Sequence, residues 1–198
     1  MHDAGTGSAG RSAGFVLAGG GSTRMGNDKA LLPYGGSVLV AHVAGSVLAA
    51  AGSVCLVGAP NRYPHLHLES VGDLYPGFGP VGGIVTALTA SGAEWNLIAA
   101  CDMPGLSAEF LRSLLAVAVD STAECTVPVT PDGRRHPLCA VYRSSARSAL
   151  QQAVESGIHK LQAAIELLQV HLYPVTTTEL LANVNTPTEW TAFQNAAH

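Results

Sequence analysis

The sequence is poor in charge and in aromatic residues. Of its 198 residues only 12% are charged and 6% aromatic, against 47% hydrophobic residues and a mean hydropathy of +0.27, which excludes a disordered polyelectrolyte. Ten Lys and Arg against fourteen Asp and Glu leave a net charge of −4, which argues against a broad basic surface for nucleic acid or an anionic membrane. The only lysines are Lys29 and Lys160, so an anionic ligand must be held locally.

Signals for export and for membrane insertion are also lacking. The four cysteines form no CxxC pair and lie in apolar stretches, so we expect buried, reduced thiols. Residues 1–13 are predicted to be a flexible tail before a single domain over 14–198, because they contain no apolar signal-peptide core. The uncharged stretch 35–59 is interrupted by Gly52 and Ser53, which predicts a helix, turn and strand instead of a transmembrane helix. These features predict a cytoplasmic protein.

Short apolar runs alternate with stretches of helical periodicity. This alternation predicts an α/β fold, with a mostly parallel sheet and helices on both of its faces. Strands are predicted at residues 14–18, 54–57, 66–70, 95–101, 126–129, 138–142 and 171–175, and helices at 37–51, 80–90, 108–119, 144–156, 160–169 and the C-terminus. Ser37 and Ser107 are expected to cap the helices that follow them. A Pro-Asp-Gly turn between residues 129 and 138 predicts an antiparallel edge on the sheet.

A glycine-rich stretch, LAGGGSTRMGNDK, occupies residues 17–29 directly after the first predicted strand. Glycines let backbone N–H groups approach an anion without a side chain in the way. The stretch is not a dinucleotide-binding G-x-G-x-x-G, because Arg24 takes the place of the last glycine. It is not a Walker A loop, because Asn27 and Asp28 follow Gly26. The residues predict a phosphate-binding loop, and the alternative is a tight turn with two solvated cations.

The same thirteen residues resemble the signature L-A-G-G-x-x-x-R-M-G-x-D-K of molybdenum cofactor guanylyltransferases, within the wider class of nucleotidyltransferases. Further segments agree with the family's motifs in order and spacing: GPVGGI at 79–84, CDMP at 101–104, HPL at 136–138 and NVNTP at 183–187. The resemblance extends over roughly residues 14–195. It implies a three-layer, Rossmann-like nucleotidyltransferase fold and the transfer of GMP from GTP to the phosphate of molybdopterin, with release of pyrophosphate and with Mg²⁺ as cofactor.

The resemblance also implies residue roles. Arg24 and Lys29 would hold the triphosphate and Asp102 the Mg²⁺, and these three are the predicted catalytic residues. Asp73 would contact the guanosine, with an ordinary Asx turn as the alternative. The other predicted nucleotide-binding residues are Leu17, Ala18, Gly19, Gly20, Gly21, Pro80, Gly82 and Gly83. No general base is needed, because the attacking group is already a phosphate anion.

The acceptor side is less defined. Arg134, Arg135 and His136 follow the Asp-Gly turn and form the densest positive cluster in an acidic chain, so we expect them to bind the pterin phosphate unless they are a solvated turn. The other predicted acceptor-binding residues are Lys160, Asn183 and Asn185. Relatives with a second aspartate read D-x-D-T-P where this chain has its two asparagines, which leaves Asp102 as the metal ligand. The alternative for the asparagines is capping of the following helix.

Two other functions remain open: a cytidylyl- or sugar-phosphate nucleotidyltransferase of the same fold, and a cofactor carrier without catalytic activity. The expected partners are GTP and molybdopterin or the molybdenum cofactor, with molybdoenzyme-maturation proteins as further candidates. One position departs from the family. Gly58 stands where family members can have Asn, so a side-chain contact to the nucleotide is missing there.

Overall fold

A seven-stranded sheet forms the middle layer of the protein. The structure is a computed structural model, and it describes residues 11–19, 28–58, 60 and 62–196. The strands are β1 (Ser12–Leu17), β2 (Pro33–Tyr34), β3 (Ser37–Val38), β4 (Cys55–Gly58), β5 (Glu69–Gly72), β6 (Trp95–Ala100), β7 (Cys125–Val129), β8 (Cys139–Arg143) and β9 (Val170–Pro174). The α-helices are α1 (Leu39–Ala51), α2 (Gly79–Ala90), α3 (Ala108–Asp120), α4 (Ala146–Glu155), α5 (Leu161–Ile165) and α6 (Pro187–Ala196).

The strand order in the sheet is β5-β4-β1-β6-β8-β7-β9. Its pairs are parallel except those of β8, which is antiparallel to both β6 and β7. The predicted α/β class with a mostly parallel sheet is therefore confirmed. The antiparallel strand, predicted at the edge, instead lies inside the sheet. The reason is burial: residues 139–142 of β8 are all buried, so the strand needs a neighbour on both sides.

Helices cover both faces of the sheet, as predicted. Side chains alternate between the faces along each strand. In β6, Leu97 packs in the core beneath α1 and α3, and the next residue, Ile98, packs in the core beneath α2 and α4. The same alternation separates Val16 from Phe15 in β1. Three layers result, with one apolar core on each side of the sheet.

Several local predictions need correction. Ser37 does not cap α1, because Gly35 and Gly36 adopt φ of +54° and +81° and turn the chain into the β2–β3 hairpin that contains Ser37. Residues 64–66 form a 3₁₀ turn, so the strand predicted from residue 66 begins only at Glu69. The helix predicted over 160–169 ends at Ile165.

Other local predictions hold. The Ser107 hydroxyl accepts a hydrogen bond from the Phe110 N–H at 3.2 Å and caps α3. The four cysteines, which all lie in the described ranges, are unpaired as predicted; Cys125 and Cys139 are buried, whereas Cys55 and Cys101 are only partly so. Residues 12 and 13 belong to β1 and not to the predicted tail, while residues 1–10 of that tail lie outside the described residues. Among the helices described, none is long and apolar enough to cross a membrane.

Candidate active site

A cavity of about 600 Å³ opens at the carboxyl ends of β1, β4 and β6. In the sheet β1 lies between β4 and β6. The chain continues from β1 to β4 and β5 on one side and later crosses to β6 on the other side. Such a switch point is where open α/β sheets bind their ligands. The predicted site residues that line the cavity are Leu17, Ala18, Gly19, Lys29, Asp73, Pro80, Gly83, Asp102 and Asn185.

Asp102 lies just beyond the end of β6 and is half-buried. Its Oδ1 accepts a hydrogen bond from Asn183 Nδ2 at 2.9 Å, and its backbone carbonyl accepts one from the Val184 N–H at 2.9 Å. Burial raises the pKa of Asp102, whereas the Lys29 charge and the Asn183 hydrogen bond act to lower it. The charge of this carboxylate thus depends on groups from two distant parts of the chain.

Lys29 begins a short 3₁₀ turn at residues 29–31. Its Nζ donates a hydrogen bond to Asn185 Oδ1 at 2.9 Å. Lys29 and Asn185 line the cavity together with Asp102, to which Asn183 is bonded. We call Lys29, Asp102, Asn183 and Asn185 the charged wall. It combines one cation, one carboxylate and two amides. The amide of Asn185 holds the Lys29 side chain in place, and the amide of Asn183 holds that of Asp102.

Capping of α6 does not require the two asparagines. Thr186 Oγ1 accepts a hydrogen bond from the Glu189 N–H at 3.1 Å, and Glu189 Oε2 accepts one from the Thr186 N–H at 3.2 Å. This reciprocal pair is a capping box. The alternative in which Asn183 and Asn185 cap the helix through their side chains is therefore wrong, and both amides belong to the charged wall.

On another side of the cavity, Asp73 is fixed by hydrogen bonds close to it in sequence. Its Oδ1 accepts from the Tyr75 N–H at 2.9 Å and from the hydroxyl of Thr86 at 3.2 Å. Thr86 is only 2% exposed. Its hydroxyl, whose one hydrogen has the Gly82 carbonyl oxygen at 2.8 Å as a second acceptor, also accepts from the Leu74 N–H at 3.0 Å. The Asx turn considered as an alternative is thus present, and the same Asp73 lines the cavity. We call Asp73, Thr86 and the start of α2 the Asp73 wall.

Of the α2 residues, Gly79, Pro80 and Gly83 line the cavity. Gly82 has a different environment. A Cβ there would lie 2.8 Å from the Tyr75 carbonyl oxygen, so Gly82 lets the helix pack closely on the loop that carries Asp73. Gly82 is not part of the described cavity wall.

The loops that follow β1 and β4 touch through their backbones. A Cβ on Gly19 would lie 2.6 Å from Gly58 Cα, and a Cβ on Gly58 would clash with the Cα of Gly19. Gly58 also has a φ of +139°, which favours glycine. This contact explains the absence of a side chain at position 58. Three predicted residues of the first loop, Gly20, Gly21 and Arg24, lie outside the described residues.

The residues predicted to bind the acceptor do not converge. Arg134 is exposed, Arg135 is paired with Glu166 at 2.6 Å, and His136 is 8% exposed with its Nε2 at 3.1 Å from Thr130 Oγ1. Burial lowers the pKa of His136. Within the described part of the chain, none of these three predicted residues lines the cavity.

Lys160 is exposed just before α5, beside His159. The His159 ring stacks on Phe78 with 4.5 Å between centroids and 5° between planes. Phe78 immediately precedes Gly79, which lines the cavity. The stack therefore flanks the cavity next to the start of α2, and no motif in the sequence identified Phe78 as the partner of His159.

The charged wall fits a metal that is shared with a ligand. No group of three or more His, Cys, Asp or Glu side chains in the described ranges is arranged to hold a metal by itself. Mg²⁺ prefers oxygen ligands and is commonly bound by one or two carboxylates plus substrate phosphates. Because Asn183 occupies Oδ1 of Asp102, a metal contact would fall to Oδ2. The donor set fits Mg²⁺ carried by a polyphosphate.

Comparisons with known proteins agree in fold and family. The profile of the MobA-like NTP transferase domain matches residues 14–172. The chain is 33% identical over 190 residues to a protein of Mycolicibacterium paratuberculosis named "Probable molybdenum cofactor guanylyltransferase", with 93% of this chain and 95% of that protein covered. A protein of the same name from Carboxydothermus hydrogenoformans is 33% identical over 183 residues, covering 88% and 91%.

Solved structures show the same similarity. Molybdopterin-guanine dinucleotide biosynthesis protein A from Archaeoglobus fulgidus has a TM-score of 0.78 at 26% identity, with 93% of this chain and 98% of that chain covered. 2-C-methyl-D-erythritol 4-phosphate cytidylyltransferase from Thermus thermophilus has a TM-score of 0.69 at 18% identity, covering 93% and 98%. The second similarity concerns the fold alone.

Proposed function

The chain belongs to the MobA-like NTP transferase family and is a nucleotidyltransferase of the molybdenum cofactor guanylyltransferase kind, and from that premise we propose the reaction it catalyses. It transfers GMP from GTP to the terminal phosphate of molybdopterin, releases pyrophosphate and forms molybdopterin guanine dinucleotide. The observation that supports this most is that Lys29 and Asp102 line one cavity at the carboxyl edge of the sheet. The four unpaired cysteines are in keeping with a cytoplasmic enzyme.

The reaction is an in-line displacement at the α-phosphorus of GTP. An oxygen of the acceptor phosphate forms a bond to this phosphorus, and the bond from it to the oxygen bridging the α- and β-phosphorus atoms breaks. The electron pair of that bond leaves with pyrophosphate. No proton has to be removed from the attacking group, so the protein contributes by positioning and charge neutralisation.

Lys29 holds the phosphates as a compact point charge. Its hydrogen bond to Asn185 already directs the ammonium group into the cavity. Asp102 would hold Mg²⁺, which, when bound, supplies positive charge to the phosphate oxygens. Asn183 fixes the orientation of the Asp102 carboxylate by donating to Oδ1. This division of roles uses every member of the charged wall.

The guanosine part binds along the Asp73 wall and the loop after β1. Guanine presents two kinds of donor, N1–H and the N2 amino group, which acidic and backbone acceptors can meet. Oδ1 of Asp73 already accepts from Tyr75 and Thr86, so contact with the guanosine falls to Oδ2. Pro80 and Gly83 bound the same side of the cavity.

The test is transfer of an α-phosphorus label. Purified protein, Mg²⁺ and molybdopterin are mixed with each of the four nucleoside triphosphates, labelled at either the α- or the γ-phosphorus. We expect the α label of GTP in the dinucleotide and its γ label in pyrophosphate, with the other three triphosphates inactive. Equal transfer from CTP would favour a cytidylyltransferase. Binding of cofactor without any pyrophosphate would favour a carrier.

A further inference from the structure

A second polar cluster is centred on Asp28, which precedes Lys29 in the chain and lines the same cavity. Asp28 precedes the 29–31 turn, and its Oδ1 accepts a hydrogen bond from the Ala30 N–H at 3.1 Å. Its Oδ2 accepts a hydrogen bond from the Tyr63 hydroxyl at 2.8 Å and forms an ion pair with Arg62, whose Nε lies 2.8 Å away. We call Asp28, Arg62 and Tyr63 the Asp28 anchor. It joins the residue next to Lys29 to the segment between β4 and β5.

The Asp28 anchor is more protected from solvent than an ordinary surface ion pair. The Asp28 and Arg62 side chains are 16% and 34% exposed, compared with 31% for Glu94 and 64% for Arg11 in the surface pair. Burial and the neighbouring Asp28 raise the pKa of Tyr63, so its hydroxyl stays protonated and donates. Solvent screens such a pair less than an exposed one.

The end of β4 and the segment that follows it contact the chain on both sides of residues 20–27. At the near end, Gly58 lies against Gly19 with no room for a Cβ on either residue. At the far end, Arg62 and Tyr63 hold Asp28. The positions of the described residues that flank the glycine-rich stretch are therefore set by one part of the chain.

From this arrangement we infer that Arg62 and Tyr63 are positioning residues for nucleotidyl transfer, acting through Asp28 on Lys29. Both oxygens of Asp28 are engaged from fixed directions, which orients the 29–31 turn and sends Lys29 toward Asp102 and Asn185. Neither Arg62 nor Tyr63, both of them described residues, lines the cavity, so their effect on a ligand is indirect. The inference rests on the proposed role of Lys29 in holding the triphosphate.

Small displacements of a positioned group are costly, because misplacement by about 1 Å can lower a rate by about 10². We expect Arg62→Ala to lower kcat for guanylyl transfer by about 10- to 100-fold and Tyr63→Phe, which keeps the ring, by about 3- to 10-fold. Arg62→Lys keeps the charge and should restore part of the loss. The matched control is Arg11→Ala, which removes the exposed pair with Glu94 and should leave kcat unchanged.

The decisive comparison places Arg62→Ala in a Lys29→Ala background. If Arg62 acts through Lys29, the double variant has the same kcat as Lys29→Ala alone, because there is no ammonium left to position. An Arg62→Ala effect of equal size in both backgrounds would overturn the inference. The inference would also be overturned if a lower free energy of unfolding accounted for the whole loss of kcat in both Arg62→Ala and Tyr63→Phe.

Affinity for Mg²⁺-GTP, measured at equilibrium, separates failure of this inference from failure of the proposed function. If the wild type makes no dinucleotide, the proposed function fails. The coupling is then tested by binding alone: Arg62→Ala should weaken the affinity for Mg²⁺-GTP in the wild-type background and leave it unchanged in the Lys29→Ala background. If the wild type makes dinucleotide but the effects of Arg62→Ala and Lys29→Ala add up, in kcat and in affinity for Mg²⁺-GTP alike, the coupling of Arg62 to Lys29 is refuted while the proposed function stands.

Discussion

The charged wall and the Asp73 wall of the cavity are built in different ways. In the charged wall, hydrogen bonds join residues 81 and 156 positions apart, from Asn183 to Asp102 and from Lys29 to Asn185. In the Asp73 wall, Asp73 accepts from groups only 2 and 13 positions away. The first wall depends on the whole fold and gathers charge, whereas the second is nearly complete within one loop and one helix. We therefore expect changes in the first to affect turnover and changes in the second to affect nucleotide binding.

Lys29→Ala should have the largest effect. Removing one preorganised contact to the phosphates is expected to lower kcat by about 10²- to 10³-fold, with little change in the free energy of unfolding. Steady-state kinetics and chemical denaturation measure the two quantities. Arg147→Ala, which removes an exposed cation on α4, is the control. A near-normal kcat for Lys29→Ala would remove this residue from the site.

Asp102→Asn should follow, with kcat lower by about 10²-fold. The substituted amide can still accept the hydrogen bond from Asn183, so the fold is expected to persist. Without the carboxylate charge, the Mg²⁺ concentration that gives half-maximal rate should rise. A metal titration of the variant that matches the wild type would show that the metal is bound elsewhere.

The pH dependence of the charged wall gives a smaller effect with a defined sign. Burial raises the pKa of Asp102 and Lys29 opposes that rise, and a protonated Asp102 cannot serve as a metal ligand. Activity should therefore fall as the pH drops through this pKa. Removing the Lys29 charge raises the pKa further, so the acid limb of the residual activity should move to higher pH in Lys29→Ala.

Asn183→Ala should move the acid limb in the same direction, because the hydrogen bond that it loses also lowers the pKa of Asp102. Profiles of kcat/KM against pH measure the shift in both variants. An unmoved limb, or one displaced to lower pH, would contradict the coupling between Asp102 and its neighbours.

The smallest expected effect lies in the Asp73 wall. Thr86→Val removes the hydroxyl that contacts Asp73 and the Gly82 carbonyl and accepts from the Leu74 N–H. We expect a loss of about 1 kcal/mol and a KM for GTP higher by about 3- to 10-fold, while kcat changes little. Thr89→Val, at an exposed position of the same helix, is the control. Thr89 also donates to the carbonyl four residues earlier, Val85 at 2.8 Å, but the described contacts do not tie it to Asp73. Equal KM changes in both variants would contradict a specific role for Thr86.

The parts of the fold that could be predicted from the sequence are those set by nearby residues. The apolar run of β6, the proline at the start of α2 and the cap at Ser107 act within a few positions. The position of β8 inside the sheet could not be predicted. The predicted hairpin determines only that β7 lies on one side of β8, and it leaves the neighbour on the other side open.

The candidate site shows the same limit. The signature motif singled out Lys29 and the CDMP segment singled out Asp102, and both residues line the cavity. The partners of Asp28, which are Arg62 and Tyr63, belong to no motif that the sequence analysis used. The acceptor-binding role of residues 134–136 stays a prediction, and their surroundings could not be predicted for a related reason. Neighbouring side chains in the turn point to different surroundings, so His136 is buried and Arg135 pairs with Glu166.

A crystal structure with Mg²⁺ and a GTP analogue carrying a methylene group between the α- and β-phosphorus atoms tests the assignment of the two walls most directly. We predict phosphate oxygens within hydrogen-bond distance of Lys29 Nζ, the metal on Asp102 Oδ2, and the guanosine against Asp73. An analogue bound outside this cavity, with Lys29 still donating to Asn185 and Asp102 without a metal, would contradict it.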